Sequence, residues 1–260
     1  MDLQLQNRVI LITGGANGIG AAIVREAANE SACPVIVDRD REAGEKLIAE
    51  LRDRRVRSTL IVSDIERPEN CQLAVHSAIE HFGRLDGLVN CAGLNDRVGL
   101  EHGNPEQYVR SLQRNLVHFY SMAHFALPEL KKSKGSIVNI ASKTAVTGQG
   151  GTSGYASSKG AILALTREWA AELLPYGIRV NAVVPAEVMT PMYRQWLSSF
   201  PNPEEKLTNI VSKIPLARRM TTTEEIAATV IFLLSGKSSH IHGQHIFIDG
   251  GYVHLDRALT

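Results

Sequence analysis

A tyrosine and a lysine lie four residues apart in the stretch TSGYASSKGAILALTREWA, which runs from Thr152 to Ala170. The apolar residues of this stretch have helical spacing, and residues four apart share one face of a helix. The ammonium of Lys159 would therefore lie close to the phenol of Tyr155. A free tyrosine has a pKa of about 10, and a nearby positive charge favours its phenolate. The pair could serve as an acid–base device in which Tyr155 takes a proton from an alcohol, although the spacing alone fits an ordinary helix-surface pair equally well.

A glycine-rich turn near the N-terminus suggests what would accompany that chemistry. The apolar run at 8–13 leads into TGGANGIG, in which Gly14, Gly18 and Gly20 precede helix-forming sequence. Glycines at such a turn let the backbone approach a pyrophosphate, which the N–H groups and dipole of the helix N-terminus attract. The spacing G-x-x-x-G-x-G differs from the usual G-x-G-x-x-G fingerprint, and any tight strand–helix turn needs glycine. The glycine-rich turn alone is therefore weak evidence for a dinucleotide site, and the residues around it must support that interpretation.

The second apolar run ends at Asp38, eighteen residues after Gly20. An acid near this separation binds the adenosine ribose hydroxyls of NAD, whereas the alternative is a simple turn carboxylate. Arg39 follows and could meet the extra phosphate of NADP, but the Asp38 carboxylate would repel that phosphate. We therefore expect NAD as the cofactor.

The hydrophobic pattern predicts the fold that positions these residues. Seven apolar runs of strand length occur at 8–13, 34–38, 58–64, 85–90, 135–142, 178–185 and 244–251. Helix-length segments lie between them at 18–30, 41–53, 68–82, 105–131, 154–174 and 223–235. This alternation is typical of βαβ units around a parallel sheet that is covered on both faces. We expect one domain over 1–260, with an α/β, doubly wound Rossmann-type fold and a seven-stranded parallel sheet flanked by helices.

Residues 186–221 interrupt the alternation between strands and helices. The segment is rich in bulky side chains and contains four prolines. An insertion of this length between two strands is more often functional than structureless. We interpret it as a substrate lid, with a purely structural helical pair as the alternative.

Further residues with recognisable spacing complete the pattern. The chain has NCAG at 90–93, Asp64 after the third apolar run, Asn115 in RNLVHFY, and Ser142 thirteen residues before Tyr155. Together with the glycine-rich turn and the Tyr–Lys pair, these motifs resemble the short-chain dehydrogenase/reductase family in type and order. The resemblance covers almost the whole chain.

The resemblance implies roles for individual residues. Ser142 would hydrogen-bond the substrate oxygen, Lys159 would also hold the nicotinamide ribose, and Asn115 would kink its helix and hold a water that links the lysine to solvent. Asp64 would contact adenine, and Thr190 the nicotinamide carboxamide. The implied catalytic residues are Asn115, Ser142, Tyr155 and Lys159. The implied cofactor contacts are Gly14, Asn17, Gly18, Ile19, Gly20, Asp38, Arg39, Asp64, Ile65, Asn90, Ala92, Gly93, Tyr155, Lys159, Pro185, Val188 and Thr190.

Three stretches, SKTAVTGQGGTSGY at 142–155, VVPAEVMTPMYRQW at 183–196 and DGGYVHLDRAL at 249–259, are similar to those of bacterial sugar dehydrogenases that act on L-fucose. The resemblance implies oxidation of the C1 hydroxyl of an aldose to a lactone. Polar loop residues after strands suit a sugar, because an apolar substrate would leave them unpaired; as the alternative, they are merely solvated. The candidate substrate residues are Asn95, Lys143, Gln149, Glu187 and Trp196. Rival functions are a 3-oxoacyl-type ketone reductase and a non-catalytic NAD-sensing protein.

Composition excludes several other classes of function. The formal net charge of +1 provides no strong field for nucleic acid or an anionic membrane. The stretch MDLQLQNRVILITGG predicts neither a signal peptide nor a membrane span. Three widely spaced cysteines without CxxC spacing fit a reducing compartment, so we expect a cytoplasmic protein.

Two further expectations concern metals and assembly. His240, His242 and His245 lie close together, but a strand follows at once and sends alternate side chains to opposite faces, so we expect no metal site. Family resemblance and the apolar content of the helices at 105–131 and 154–174 predict a homotetramer. The partners expected are therefore a small-molecule substrate and further copies of the chain.

Overall fold

The computed structural model describes residues 2–255, so Met1 and residues 256–260 of the predicted domain, including the end of DGGYVHLDRAL, lie outside the described residues. The strands are β1 (Val9–Thr13), β2 (Cys33–Asp38), β3 (Thr59–Val62), β4 (Gly87–Asn90), β5 (Ser136–Ile140), β6 (Arg179–Pro185) and β7 (His245–Ile248). The helices are α1 (Gly18–Asn29), α2 (Arg41–Asp53), α3 (Pro68–Phe82), α4 (Pro105–Leu112), α5 (His118–Ser133), α6 (Ser153–Leu173), α7 (Pro191–Leu197), α8 (Pro203–Val211) and α9 (Thr223–Leu234).

The seven strands form one parallel sheet in the order β3-β2-β1-β4-β5-β6-β7. The predicted single-domain, doubly wound α/β fold is confirmed. The strand order reverses between β1 and β4, and in such sheets ligands bind in the crevice outside the carboxyl ends of the strands at that point. The topology therefore places the glycine-rich turn after β1 beside the NCAG stretch after β4.

Helices cover both faces of the sheet because its central strands are apolar on both sides. Alternate residues of a strand point to opposite faces: Val9 and Leu11 join the cluster that includes α3, α5 and α6. Ile10 and Ile12 join the cluster that includes α1, α2 and α9. These four side chains are at most 2% exposed, and burying one aliphatic side chain contributes about 1.5–3 kcal/mol.

The predicted single helix over 105–131 is wrong in one respect. A π-helical turn at Gln113–Val117 separates α4 from α5, which ends at Ser133. Within this turn the Asn115 Nδ2 donates to the Ser111 carbonyl oxygen over 3.1 Å. A π turn adds one residue to a single helical turn. The apolar spacing did not predict it, whereas Asn115, the residue at which the resemblance implies a kink, lies within it.

The segment at 186–221 contains the two short helices α7 and α8, and a bridge between Val188 and Thr221 closes its base. Each helix begins at a capping side chain, Thr190 for α7 and Asn202 for α8. Of the sixteen residues in the two helices, only Leu197 is buried. Neither helix is therefore anchored by a core of its own.

Two of the three histidines at 240–245 serve local structure. The His242 Nδ1 accepts a hydrogen bond from the Val180 backbone N–H, and its Nε2 lies 2.8 Å from the Ala170 carbonyl oxygen. The His245 Nε2 lies 3.0 Å from the Leu163 carbonyl oxygen. Within residues 2–255, no helix is long and apolar enough to cross a membrane.

Candidate active site

A cavity of about 1480 Å³ runs along the carboxyl ends of the strands. All but two of the predicted site residues line it. The two others, Asn90 and Asn115, are fully buried beneath its wall. The structure thus brings residues from seven separate parts of the chain to one crevice.

At the glycine-rich turn the cavity is lined by closely packed backbone. Gly14 and Gly18 have φ angles of +65° and +53°, which residues other than glycine rarely adopt. A Cβ at Gly14 would lie 2.9 Å from the Ala92 Cα, and a Cβ at Gly20 would overlap the Gly14 carbonyl. The side chain of Asn17, at the start of α1, donates to Asp40 over 2.9 Å instead of capping the helix. The start of α1 therefore has no side-chain cap, and its first residues, Gly18, Ile19 and Gly20, line the cavity. An uncapped helix N-terminus suits a pyrophosphate.

Asp38 lies at the end of β2 beside this turn. Its Oδ2 accepts a hydrogen bond from the Ala16 backbone N–H, and its Oδ1 accepts one from the Asp40 backbone N–H, each over 3.0 Å. These contacts hold the carboxylate at the cavity wall. Each oxygen keeps a lone pair that could accept a hydrogen bond from a ribose hydroxyl.

Arg39, which was predicted, belongs to a charged group near Asp38 whose two other members, Glu66 and Arg114, were not. The Arg114 Nε donates to the Glu66 Oε1 over 3.1 Å, and the Arg39 Nη1 lies 4.0 Å from the same oxygen. Arg39, Glu66 and Arg114 all line the cavity. Glu66 follows Asp64 by two residues and Arg114 precedes Asn115, so their adjacency to predicted residues was the signal that sequence reasoning overlooked. The Asp64 side chain itself accepts from the Glu66 backbone N–H over 3.1 Å.

The end of β4 is held from below by side chains. The Thr13 Oγ1 accepts hydrogen bonds from the backbone N–H groups of Cys91 and Ala92 over 2.9 and 3.2 Å. The Asn90 Nδ2 donates to the Asn139 Oδ1 over 3.0 Å. Asn90 therefore lies under the cavity, where it ties β4 to β5, while Ala92 and Gly93 present backbone to the cavity.

Tyr155 and Lys159 share one face of α6, as their spacing predicts. The Lys159 Nζ lies 5.5 Å from the centre of the Tyr155 ring and donates to the Ile140 carbonyl oxygen over 2.7 Å. Burial raises the pKa of Tyr155 to about 12, although a hydrogen bond with Ser142 acts in the opposite direction. Burial also lowers the pKa of Lys159 to about 8. The sequence predicts that the nearby lysine lowers the Tyr155 pKa. In the structure the pKa is raised instead, because the effect of burial is larger.

Asn115 lies next to this pair. Its Oδ1 accepts from the Leu94 backbone N–H over 2.8 Å. A Cβ at Gly93 would lie 3.2 Å from the Asn115 Oδ1 and 3.6 Å from the Lys159 Nζ. The absence of a side chain at Gly93 therefore lets the backbone after β4 pass close to both groups.

His118 follows Asn115 and was not predicted to matter. It is 2% exposed, and its Nε2 lies 3.0 Å from the Arg114 carbonyl oxygen. A carbonyl oxygen only accepts, so the Nε2 carries the proton and the Nδ1 carries a lone pair. The Nδ1 is buried without a protein partner among the described residues. Burial, followed by the charge of Lys159, lowers the pKa of His118 to about 4.

A buried ion pair occupies the other end of the cavity, beyond Ser142. The Lys143 Nζ donates to the Glu187 Oε1, and the Tyr193 hydroxyl donates to the Glu187 Oε2 over 2.7 Å. The Lys143 Nζ also lies 4.3 Å from the centre of the Tyr252 ring. Lys143 and Glu187 were each predicted as substrate contacts, whereas their pairing and the role of Tyr193 were not.

The other predicted substrate residues also line the cavity, and Thr190 lines it beside Gly18. The Asn95 Oδ1 accepts from the Arg97 backbone N–H over 3.1 Å, while Gln149 is exposed at the cavity mouth. The Trp196 ring makes edge contacts with Tyr193, the two ring centres lying 5.0 Å apart. Thr190, predicted to contact the carboxamide, uses its hydroxyl oxygen to accept from the Tyr193 backbone N–H over 3.2 Å.

The arrangement has two chemically different ends joined by one cavity. The glycine-rich turn and the helix N-terminus fit a pyrophosphate, and Asp38 is placed to accept hydrogen bonds from a ribose. The other end presents a phenol, a buried ammonium and Ser142, groups suited to moving a proton to or from a substrate oxygen. A dinucleotide lying between these ends would bring its far ring to the phenol.

Comparisons with known proteins give a consistent result. A sequence profile of the family described as enoyl-(acyl carrier protein) reductase matches residues 14–253. A protein from Bos taurus named L-fucose dehydrogenase is 32% identical over 252 residues, which cover 96% of this chain and 91% of the relative. The 3-oxoacyl-[acyl-carrier-protein] reductase FabG of Thermotoga maritima is 33% identical over 252 residues, which cover 96% of this chain and 100% of that protein. The crystal structure of Cj0485 dehydrogenase has a TM-score of 0.95 and 45% identity, with 100% of this chain and 99% of that chain covered.

Proposed function

Since the chain belongs to the short-chain dehydrogenase/reductase family, whose members are oxidoreductases that act on CH–OH groups with a nicotinamide cofactor, we propose that it oxidises the C1 hydroxyl of an aldose with NAD. The expected sugar is L-fucose or one with the same ring stereochemistry, and the product is its lactone. The observation that carries this proposal is the buried Lys143–Glu187 pair on the substrate side of Ser142.

Tyr155 is the proposed base. Its phenolate takes the proton of the substrate hydroxyl, while Ser142 hydrogen-bonds the substrate oxygen and stabilises the charge that develops there. When bound, a nicotinamide dinucleotide supplies the acceptor for the hydride that leaves the same carbon. The Lys159 ammonium stabilises the phenolate. After the transfer the proton is on the Tyr155 hydroxyl, and it passes toward solvent by way of Lys159, which releases one of its own protons before it accepts another. Asn115 fixes the backbone beside the lysine. Burial raises the Tyr155 pKa, so the positive charge of Lys159 is needed to bring the phenolate within working range.

NAD is favoured over NADP because of Asp38. The carboxylate lies beside the glycine-rich turn, where a ribose would bind, and two backbone N–H groups hold it in place. A 2′-phosphate at this position would meet a negative charge at short range. Arg39 and Arg114 are both drawn toward Glu66, which reduces their capacity to offset that repulsion.

A polar substrate is favoured because the cavity wall beyond Ser142 carries charges. The Lys143 and Glu187 side chains are only 11% and 12% exposed. An apolar substrate would remove the remaining water from these groups and return no hydrogen bonds, a cost on the order of 1–3 kcal/mol for each unsatisfied group. A sugar supplies hydroxyl groups for the same atoms. The similarity to proteins named L-fucose dehydrogenase supports a sugar on independent grounds.

A second candidate function is reduction of a 3-oxoacyl group on a carrier protein, which the similarity to the Thermotoga maritima reductase favours. Two features count against it in this chain. Asp38 disfavours NADPH, and the formal net charge of +1 offers no strong attraction for an acidic carrier.

One substrate panel tests both candidates. Purified protein is mixed with NAD or NADP and a set of aldoses that includes L-fucose, D-arabinose and L-galactose, and formation of the reduced cofactor is followed by its absorbance. The expected result is oxidation of these sugars with NAD. Reduction of an acetoacetyl thioester with NADPH, in the absence of aldose oxidation, would instead establish the second candidate.

A further inference from the structure

The ion pair at the substrate end has more hydrogen-bonding capacity than its own contacts use. An ammonium carries three N–H donors. Lys143 directs one to Glu187, and its Nζ also lies 4.3 Å from the centre of the Tyr252 ring. A carboxylate offers about four lone-pair positions, and Glu187 accepts from Lys143 and from Tyr193. Both side chains line the cavity. A donor and an acceptor therefore stand side by side and face the same space.

The pair is electrically neutral as a whole. Because the two charges cancel, the wall offers little attraction to a carboxylate or phosphate, and because both groups are largely buried, it is poorly suited to a hydrocarbon. Two neighbouring hydroxyl groups match it well, since one can donate to Glu187 while the next accepts from Lys143. Hydrogen bonds to charged partners are the stronger ones in proteins, so such a match would distinguish substrates sharply.

Tyr193 fixes the orientation of the carboxylate. Its hydroxyl donates to the Glu187 Oε2 over 2.7 Å, and burial, then the charge of Glu187, raises the pKa of this phenol so that it stays protonated. Glu187 follows β6, whereas Tyr193 lies on α7. The bond thus ties the start of the segment at 186–221, just after β6, to α7 within the same segment. The Trp196 ring packs against Tyr193 on that helix.

We propose that Lys143 and Glu187 form a recognition site for two adjacent, uncharged hydroxyl groups of the substrate, and that Tyr193 is the residue that positions Glu187 for it. Glu187 accepts a hydrogen bond from one hydroxyl, and Lys143 donates to the other. The proposal rests on the proposed function in one respect: the two recognised hydroxyl groups and the hydroxyl oxidised at Tyr155 are on the same substrate molecule. It does not require that this alcohol be an aldose.

The test compares an alcohol that carries a further vicinal diol with a matched monoalcohol. The ratio of kcat/KM for all-cis-1,2,3-cyclohexanetriol, which keeps two adjacent hydroxyl groups when its 1-hydroxyl reacts at Tyr155, to that for cyclohexanol is measured with NAD, because a ratio within one variant cancels any general loss of activity. The wild-type protein should favour this diol-bearing alcohol at least about tenfold, as hydrogen bonds to charged groups imply. Glu187→Gln and Lys143→Met should each reduce this preference about tenfold. Tyr193→Phe should reduce it about threefold, through KM for the diol-bearing alcohol more than through kcat.

Lys206→Met is the matched control, since Lys206 also lines the cavity but packs its ammonium against the Phe200 ring. This variant should keep the wild-type preference. Melting temperature and NADH binding are measured for every variant. If Glu187→Gln does not fold, Tyr193→Phe still tests the site, because it keeps the aromatic ring and removes only the hydroxyl that binds Glu187.

The outcomes separate this inference from the proposed function. If the wild-type protein shows no preference for the diol-bearing alcohol, or if Glu187→Gln keeps the full preference, the recognition site is refuted even if aldoses are oxidised. If the preference depends on Glu187 but no aldose in the panel is oxidised, the recognition site stands and the aldose assignment fails.

Discussion

At the scale of single residues, burial governs the acid–base pair. It raises the pKa of Tyr155 to about 12 and lowers that of Lys159 to about 8. The phenolate fraction therefore grows about tenfold for each pH unit through the neutral range, while Lys159 loses its charge above about pH 8. We predict that kcat/KM for alcohol oxidation rises with pH, with a logarithmic slope near +1 below about pH 8 and a smaller slope above it. A pH profile that is flat between pH 6 and 8 would contradict this assignment.

Replacement of Tyr155 by phenylalanine tests how much the phenol hydroxyl contributes to turnover. Tyr155→Phe removes the proton acceptor and leaves the ring in place, so turnover should fall at least about 10³-fold. The Kd for NADH, measured by fluorescence titration, should change little. Phe119, whose ring lies 5.1 Å from the Lys159 Nζ, provides a control as Phe119→Leu, which should retain most of the turnover. Appreciable activity in Tyr155→Phe would remove the tyrosine from the mechanism.

Asp38 should determine the choice of cofactor. In Asp38→Ser the charge that would repel a 2′-phosphate is gone, and two unit charges about 4 Å apart near a protein surface interact by about 4 kcal/mol. We expect the ratio of kcat/KM for NAD to that for NADP to fall at least about tenfold. Asp53→Ser, an exposed change at the end of α2, should leave the ratio unchanged. Equal use of both cofactors by the wild-type protein would show that the prediction is wrong.

His118 should make stability sensitive to acid. Its pKa is lowered from 6.5 to about 4, so the unfolded chain binds more protons than the folded one between these values. The stability that neutral His118 contributes is complete above about pH 6.5 and is lost as the pH falls toward about 4, on the order of 3 kcal/mol. His118→Gln keeps a donor for the Arg114 carbonyl oxygen and does not titrate, so its unfolding free energy should decline less over this range. The exposed His124 on the same helix supplies the control, His124→Gln.

At the scale of elements, the hydrophobic pattern predicts much of the structure. Every strand and the helices α1, α2, α3, α6 and α9 lie within about three residues of their predicted bounds, because runs buried on both faces and amphipathic helices leave distinct patterns. The π turn at Gln113–Val117 leaves no such pattern. The sequence likewise offered Lys143 and Glu187 as separate candidate substrate contacts, without their pairing. Their pairing, and the contribution of Tyr193, depend on the direction in which α7 leaves the sheet, which only the tertiary structure defines.

The segment at 186–221 should act as a lid. Eight residues from 191–211 line the cavity, yet α7 and α8 bury only Leu197. Segments with few buried contacts open at low free energy. We predict that adding NADH together with a bound alcohol slows amide hydrogen exchange in α7 and α8. Exchange in α9, which begins at the Thr222–Glu225 capping box and contains six buried residues, should change little. Unaltered exchange in α7 and α8 would favour the alternative of a purely structural helical pair.

At the scale of the whole molecule, two helices present apolar side chains to solvent. Val109 on α4 is 56% exposed and Tyr120 on α5 is 57% exposed, with Tyr108 and Val117 nearby in sequence. Exposed apolar patches on soluble proteins often mark sites of association, and identical chains associate most often through two-fold axes that pair one surface with itself. The occupant we expect on these helices is therefore the same surface of a second copy.

We predict a homotetramer in which this pairing forms one of the two interfaces. Light scattering at micromolar concentration should give four times the chain mass of 28.4 kDa. Tyr120→Glu places a charge at the centre of the paired surface, where desolvation without a partner is costly, and should reduce the measured mass to that of a dimer. Leu73→Glu, a similarly exposed apolar position on α3 and outside both helical segments from which the tetramer is predicted, should leave the mass unchanged. A monomeric wild-type protein would refute the assembly. A tetramer that survives Tyr120→Glu would keep the assembly but exclude α4 and α5 as the interface.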